Sequence, residues 1–295
     1  MSSQYETSSG FTTQKGYWTN ANASGHWPGR RMHRGLVYNN KMWILGGAGD
    51  SGDLSDVWSS SDGINWTEVS TNAPVSSQNT AMVFNNKMWV INGNTLSSST
   101  DGSTWTTVTT SGFWSGGRIG SSALSFNNKM WVFGGSNSSP CCDMNNDVLY
   151  SDNGTSWSNA NASGHWSGIT RHATVVFDNK MWVLGGRSNS NYVWSSSDGT
   201  SWTNMDASNH WTARELLTSV VFDDKIWVLG GGGGGGDNQV WYSSDGISWV
   251  NTSATNHWSS RNKFVSLVFD NKIWVLGGNS SDDSTANDVW YYTDP

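Results

Sequence analysis

The apolar residues of this chain recur as a fixed phrase, not as a helical stripe. Lys-[Met/Ile]-Trp-[Val/Ile] occurs six times, with its tryptophan at Trp43, Trp89, Trp131, Trp182, Trp227 and Trp274. Three residues before each lysine stands an aromatic residue: Tyr38, Phe84, Phe126, Phe177, Phe222 and Phe269. An Asn or Asp pair fills each gap, as in Asn39-Asn40 and Asp223-Asp224. Residues that tolerate positive φ are what a two-residue hairpin needs, so each unit is predicted to open with a β-hairpin.

A glycine-rich segment of varying length follows, then a strand expected to end at Trp58, Ser97, Leu149, Trp194, Trp241 or Trp290. Four residues on comes a second tight turn in five units, as at Asp62-Gly63 and Asn153-Gly154. A fourth strand is then predicted, carrying Trp66, Trp105, Trp157, Trp202 or Trp249. Four short antiparallel strands repeating every 40 to 50 residues or so make a propeller blade. The fold class is therefore all-β, a six-bladed β-propeller. The sixth unit stops at Asp294-Pro295, short of its fourth strand, and Gly16-Tyr17-Trp18-Thr19 carries the missing pattern. The N-terminal strand is predicted to pair in the last blade and close the ring, which removes exposed sheet edges. Residues 1–14 are expected to be a flexible tail and 15–295 one domain.

Composition agrees with a turn-rich, aromatic-cored protein: 34 glycines, four prolines, 21 tryptophans and 13% charged residues. The strand and loop assignments place all 21 tryptophans, so strand tryptophans are read as packing between blades. A net charge of -7 and a pI near 5.2 argue against nucleic acid and anionic membranes as partners. No apolar run approaches the roughly 18 to 20 residues that cross a bilayer, and the first residues lack a basic start followed by an apolar segment. Sparse charge leans toward an extracellular setting. A monomer is expected. The two cysteines, Cys141 and Cys142, are adjacent and provide no disulfide framework.

The Gly-Gly after the second strand, the Asp-Val-Trp opening the third (Asp56-Val57-Trp58, Asp288-Val289-Trp290) and the fourth-strand tryptophan resemble the kelch repeat and the galactose-oxidase central domain. The turn Ser60 to Trp66 also resembles a shortened Asp-box, which in sialidase-type propellers is a structural hairpin. Kelch-like propellers include enzymes, adaptors and lectin-like proteins, so the resemblance implies fold more firmly than function.

Binding should sit on the face bearing the variable loops. There the segment between blades carries His26-Trp27, His165-Trp166, His210-Trp211 and His257-Trp258, with Phe113-Trp114 in the third unit. An arginine follows in four units: Arg30, Arg118, Arg214 and Arg261. Resemblance to kelch adaptors implies that such arginines ring the channel mouth and grip acidic peptides, with gaps here at Ser76 and Ile169. Pairing with loop aspartates is the other reading of the arginines, because a guanidinium fork suits carboxylates. The His-Trp pairs read as packing plugs or as repeated carbohydrate sites, a Trp face stacking on a sugar ring.

Other chemistry is thinner. His33 and His172 occupy equivalent positions in opposite blades, too few for a metal site. Galactose-oxidase chemistry would need two tyrosines, two histidines and a crosslinked cysteine, which this chain does not offer, and no cofactor is expected. The segment Gly49 to Asp53 reads as a solvated flexible loop, with Ca²⁺ binding as the alternative. Glu215, beside Arg214, is the one glutamate near the binding face that could do acid–base work. The expectation is a non-catalytic binding or scaffold propeller for a protein or glycan. A lectin, a sugar-active enzyme and a recently duplicated or engineered scaffold without a ligand are the alternatives.

Overall fold

The computed structural model describes residues 16–21, 23, 26–112, 117–137, 143–187, 191–205, 210–232, 237–252, 257–282 and 284–294. The expected tail over residues 1–14, the Phe113-Trp114 pair and Cys141-Cys142 lie outside the described residues.

Strand β1 (Tyr17–Asn20) precedes the first complete unit, made of β2 (Arg34–Tyr38), β3 (Lys41–Gly49), β4 (Gly52–Ser60) and β5 (Thr67–Ser70). The second is β6 (Thr80–Phe84), β7 (Lys87–Asn92), β8 (Thr95–Ser99) and β9 (Thr106–Val108). The third is β10 (Ser122–Phe126), β11 (Lys129–Phe133), β12 (Val148–Ser151) and β13 (Ser158–Asn159). The fourth is β14 (Ala173–Phe177), β15 (Lys180–Leu184), β16 (Val193–Ser196) and β17 (Thr203–Asn204). The fifth is β18 (Thr218–Phe222), β19 (Lys225–Gly231), β20 (Asp237–Ser243) and β21 (Val250–Asn251). After β22 (Arg261–Asn262), the last unit is β23 (Val265–Phe269), β24 (Lys272–Ser280) and β25 (Thr285–Thr293).

Each unit pairs its strands antiparallel in chain order, and β1 supplies the fourth strand of the last, with Trp18 opposite Tyr292 and Asn20 opposite Trp290. Six four-stranded blades result, and the ring is closed by the N-terminal strand as the pattern predicted. β22 pairs with both β20 and β24, stitching the last two blades together.

The hairpin between the first two strands follows from its sequence. Asn39 and Asn40 adopt φ of 49° and 52°, and the Asn/Asp pairs of the other five blades do the same, the geometry of the turn that matches strand twist. Each second-strand tryptophan donates its indole N–H to the carbonyl of the aromatic residue before that turn, at 2.9–3.1 Å. The same indole then covers the next blade. A Cβ added to Gly102 would lie 2.3 Å from Trp43, one on Gly154 2.5 Å from Trp89, and one on Gly63 2.3 Å from Trp274. The Asp-Gly turns therefore need glycine twice, for φ near 77° and for the neighbouring indole.

The core accordingly lies in wedges between adjacent blades. Met42 and Ile44 of the first blade, for instance, share a cluster with Leu267, Phe269 and Leu276 of the last. Two local expectations are corrected. The fourth strands of the first five blades begin one residue after Trp66, Trp105, Trp157, Trp202 and Trp249, because each of these indoles turns back to donate to its Asp-Gly or Asn-Gly glycine carbonyl at 2.9–3.2 Å. Residues 49–53 are a strand hairpin and not a loose loop, with Ala48 opposite Asp53, and Thr285 donates to Asp50 at 2.9 Å.

Candidate functional site at the channel mouth

The four arginines on the variable-loop face turn inward. Arg30 is fully buried and donates through Nη1 to the Gly46 carbonyl at 2.9 Å, while Nη1 and Nη2 each hold one oxygen of Asp56 at 2.7 Å. Arg118 repeats this with Gly134 and Asp147, and Arg261 with Gly277 and Asp288. Arg214 takes Gly230, Gln239 and Asp237. Burial works to raise the Asp56 pKa, but the Arg30 bonds and charge outweigh it and hold the carboxyl below its ordinary value. Each guanidinium braces the Gly-Gly bend against the third strand of its own blade. The expected ligand-contact role of Arg30, Arg118, Arg214 and Arg261 gives way to this structural one.

The tryptophans of the His-Trp pairs are internal as well. Trp27, Trp166, Trp211 and Trp258 are 0–3% exposed, and Trp27, Trp211 and Trp258 meet Trp66, Trp249 and Trp18 at near right angles with ring centres 4.3–4.6 Å apart. Nδ1 of His26, His165, His210 and His257 donates to the carbonyl of the following tryptophan at 2.9–3.1 Å. An indole this covered presents no face for a sugar ring to stack on. Of the two readings of these eight residues, packing plug and carbohydrate site, the geometry matches the first, the loop packing against the blade it enters.

What the mouth exposes lies two residues further along. Met32, Gln78, Gly120, Arg171, Leu216 and Lys263 are equivalent, each two residues before its innermost strand, and all six have φ between 55° and 68°. Five of them carry a Cβ and so bear the strain of the left-handed region. Backbone bonds hold them there head to tail. Met32 N–H donates to Lys263 at 2.8 Å, Gln78 to Met32 at 3.1 Å, Arg171 to Gly120 at 2.7 Å, Leu216 to Arg171 at 2.9 Å and Lys263 to Leu216 at 3.4 Å. These six residues line a cavity together with Arg34, Ser121, His172, Leu217, Thr218 and Phe264. Glu215 reaches Arg171 of the neighbouring blade at 3.3 Å.

Below the ring the channel widens to about 200 Å³, walled by small residues such as Gly35, Ala81, Ala123, Ser219 and Ser266, with Arg34 and His172 shared between the two levels. His172 is driven down to a pKa of about 3, by burial first and then by the charge of Arg34. His33 is lowered well below its ordinary value by burial, then by Arg30 and Arg34. Both are therefore neutral at physiological pH. His172 contacts Ser122 Oγ at 2.6 Å. Among the described residues no group of three or more His, Cys, Asp or Glu side chains could share a metal ion.

The sequence reading did not single out Arg34, Arg171 or Lys263. A signal existed for the first. Arg34 opens β2 where the other innermost strands open with Thr80, Ser122, Ala173, Thr218 and Val265.

Closed blades around a lined channel define a β-propeller with its accessible chemistry at one mouth. The chain belongs to the family of the DUF6242 beta propeller domain, whose model matches residues 12–119 and 185–291. Among solved structures it is similar to one titled "Structure of YjhT", with a TM-score of 0.73 over 90% of this chain and 95% of that one at 16% identity, a likeness of fold. No curated protein matches it.

Proposed function

We propose that this propeller is a non-catalytic binding module that takes an acidic segment of a partner protein at its channel mouth, on the face bearing the inter-blade and variable loops. One observation carries the reading: the strained ring of left-handed residues projects Arg171 and Lys263 around a cavity that also holds Arg34, in a chain of net charge -7. Strain maintained around a ring points to a site whose geometry matters. Glu215 supports a binding role, since its carboxylate is engaged by Arg171. The burial of the loop tryptophans favours a peptide over a stacked sugar. The repeats themselves are best assigned to the kelch-like type, because the braced Gly-Gly and Asp-Val-Trp are its defining pieces.

The test is binding of acidic peptides, and in parallel of a glycan array, by the purified chain and by Lys263→Gly and Arg171→Ala. Expected is peptide binding that weakens with salt and by roughly tenfold per cation removed, the equivalent of about 1.4 kcal/mol. Salt-tolerant glycan binding that survives both substitutions would overturn the reading.

A further inference from the structure

We propose that the channel holds a recessed oxyanion seat one layer below the ring, where the Arg34 guanidinium takes a single carboxylate or phosphate group; this rests on the mouth being the binding face. Arg34 lines both the mouth cavity and the wider channel cavity. Among the described residues no carboxylate pairs with its guanidinium, whose one hydrogen bond is a 3.4 Å contact with the carbonyl of His33. The contrast with Arg30, Arg118, Arg214 and Arg261, each matched to an aspartate, is chemical: those four are closed units and Arg34 is half of one.

The surroundings leave Arg34 as the strong donor. Several channel-wall hydroxyls are committed across blade boundaries, Thr80 with Ser121 at 2.8 Å, Ser122 with His172 at 2.6 Å and Ser266 with Thr218 at 2.8 Å, and Ser219 is left as a neutral hydroxyl without a partner. Burial lowers the Arg34 pKa to about 10, and its charge is felt at His172 on the opposite blade. His172 is 6% exposed, and its Nδ1 is buried with no hydrogen-bond partner. A half-buried cation without a counter-ion is disfavoured, and an oxyanion offsets that cost through the planar fork that suits carboxylate and phosphate. A cavity of about 200 Å³ accepts the carboxylate end of a small acid or of an acidic side chain.

The experiment follows the arginine side-chain Nε–Hε resonances and the melting temperature of the full chain while acetate, and separately inorganic phosphate, is titrated. Arg34→Thr, which installs the residue found in the second and fifth blades, is the deciding variant. Expected is one arginine resonance that shifts saturably and a rising melting temperature, both absent in Arg34→Thr and retained in Lys87→Ala, which removes an exposed cation at the start of β7 that lines neither cavity. Arg34→Thr should also melt at the same or a higher temperature than the parent in anion-poor buffer. A shift that never saturates, one that persists in Arg34→Thr, or a fall in melting temperature on Arg34→Thr without added anion would each overturn the seat. Acidic-peptide binding without acetate or phosphate binding sinks the seat alone, and the reverse result sinks the peptide reading alone. Competition between acetate and peptide identifies the seat with a partner's side chain; its absence identifies a free small acid.

Discussion

At the scale of single residues, the arginine–aspartate braces are the clearest case of chemistry turned to structure. Removing Arg30 would strand the nearly buried Asp56 carboxylate, so Arg30→Ala should cost about 3 kcal/mol in urea unfolding. The second blade lacks both partners, with Ser76 and Thr95 in their places. Arg30→Ser combined with Asp56→Thr should therefore recover much of the loss, a coupling that a double-mutant cycle reads directly. The two buried histidines make a separate prediction. Their folded pKa values lie below the unfolded value near 6.5, so stability is full above that pH and is lost as pH falls toward about 3, because the unfolded chain binds the protons first. Replacing His33 with Asn and His172 with Ser, residues that the second and third blades use there, should flatten the melting temperature between pH 6.5 and 5.

Elements are held by turns that serve the neighbouring blade. Gly102 has φ of 76° and lies under Trp43, whereas Gly93 has φ of 59° with open space around it. Gly102→Ala should thus destabilise well beyond the roughly 1 to 2 kcal/mol that the left-handed conformation costs, while Gly93→Ala should cost about that and no more. The same turns set a second acid limit. Backbone amides of Thr104 and Ser103 hold Asp101 at a pKa of about 2, and those of Ser201 and Thr200 do so for Asp198. These carboxylates contribute stability above about pH 4 that is lost as pH falls toward 2, so thermal melts should drop steeply in that window.

For the molecule as a whole, closure decides everything else. β1 covers the outer edge of β25, and Trp18 meets Trp258 and Tyr292 with ring centres 4.4 and 5.2 Å away. Trp18→Ala should cost about 3 to 5 kcal/mol. Because a loosened clasp exposes a strand edge, the variant should also aggregate on heating, as light scattering would show. The ring of left-handed residues at the mouth is likewise a property of the closed circle, five of its six amides bonding the equivalent residue of the blade before. Lys263→Gly relieves one strained position and should melt no lower than the parent, which separates its proposed binding role from stability.

The blade count, the two tight turns and the clasping strand were all legible in the chain, because each rests on local chemistry: Asn or Asp pairs for positive φ in all six units, Asp-Gly or Asn-Gly turns in five, and a stray fourth-strand pattern at the start. The arginine braces were nearly legible too, for Arg and the Asp or Gln at the start of the third strand (Asp56, Asp147, Gln239, Asp288) occur together in four blades and fail together in two. Only the tertiary structure decided which charges face the channel. Whether a guanidinium meets its own blade's aspartate or an open channel depends on how the blades tilt around the axis, a long-range geometry that no window of sequence contains. For that reason Arg30 and Arg34, four residues apart, have opposite fates.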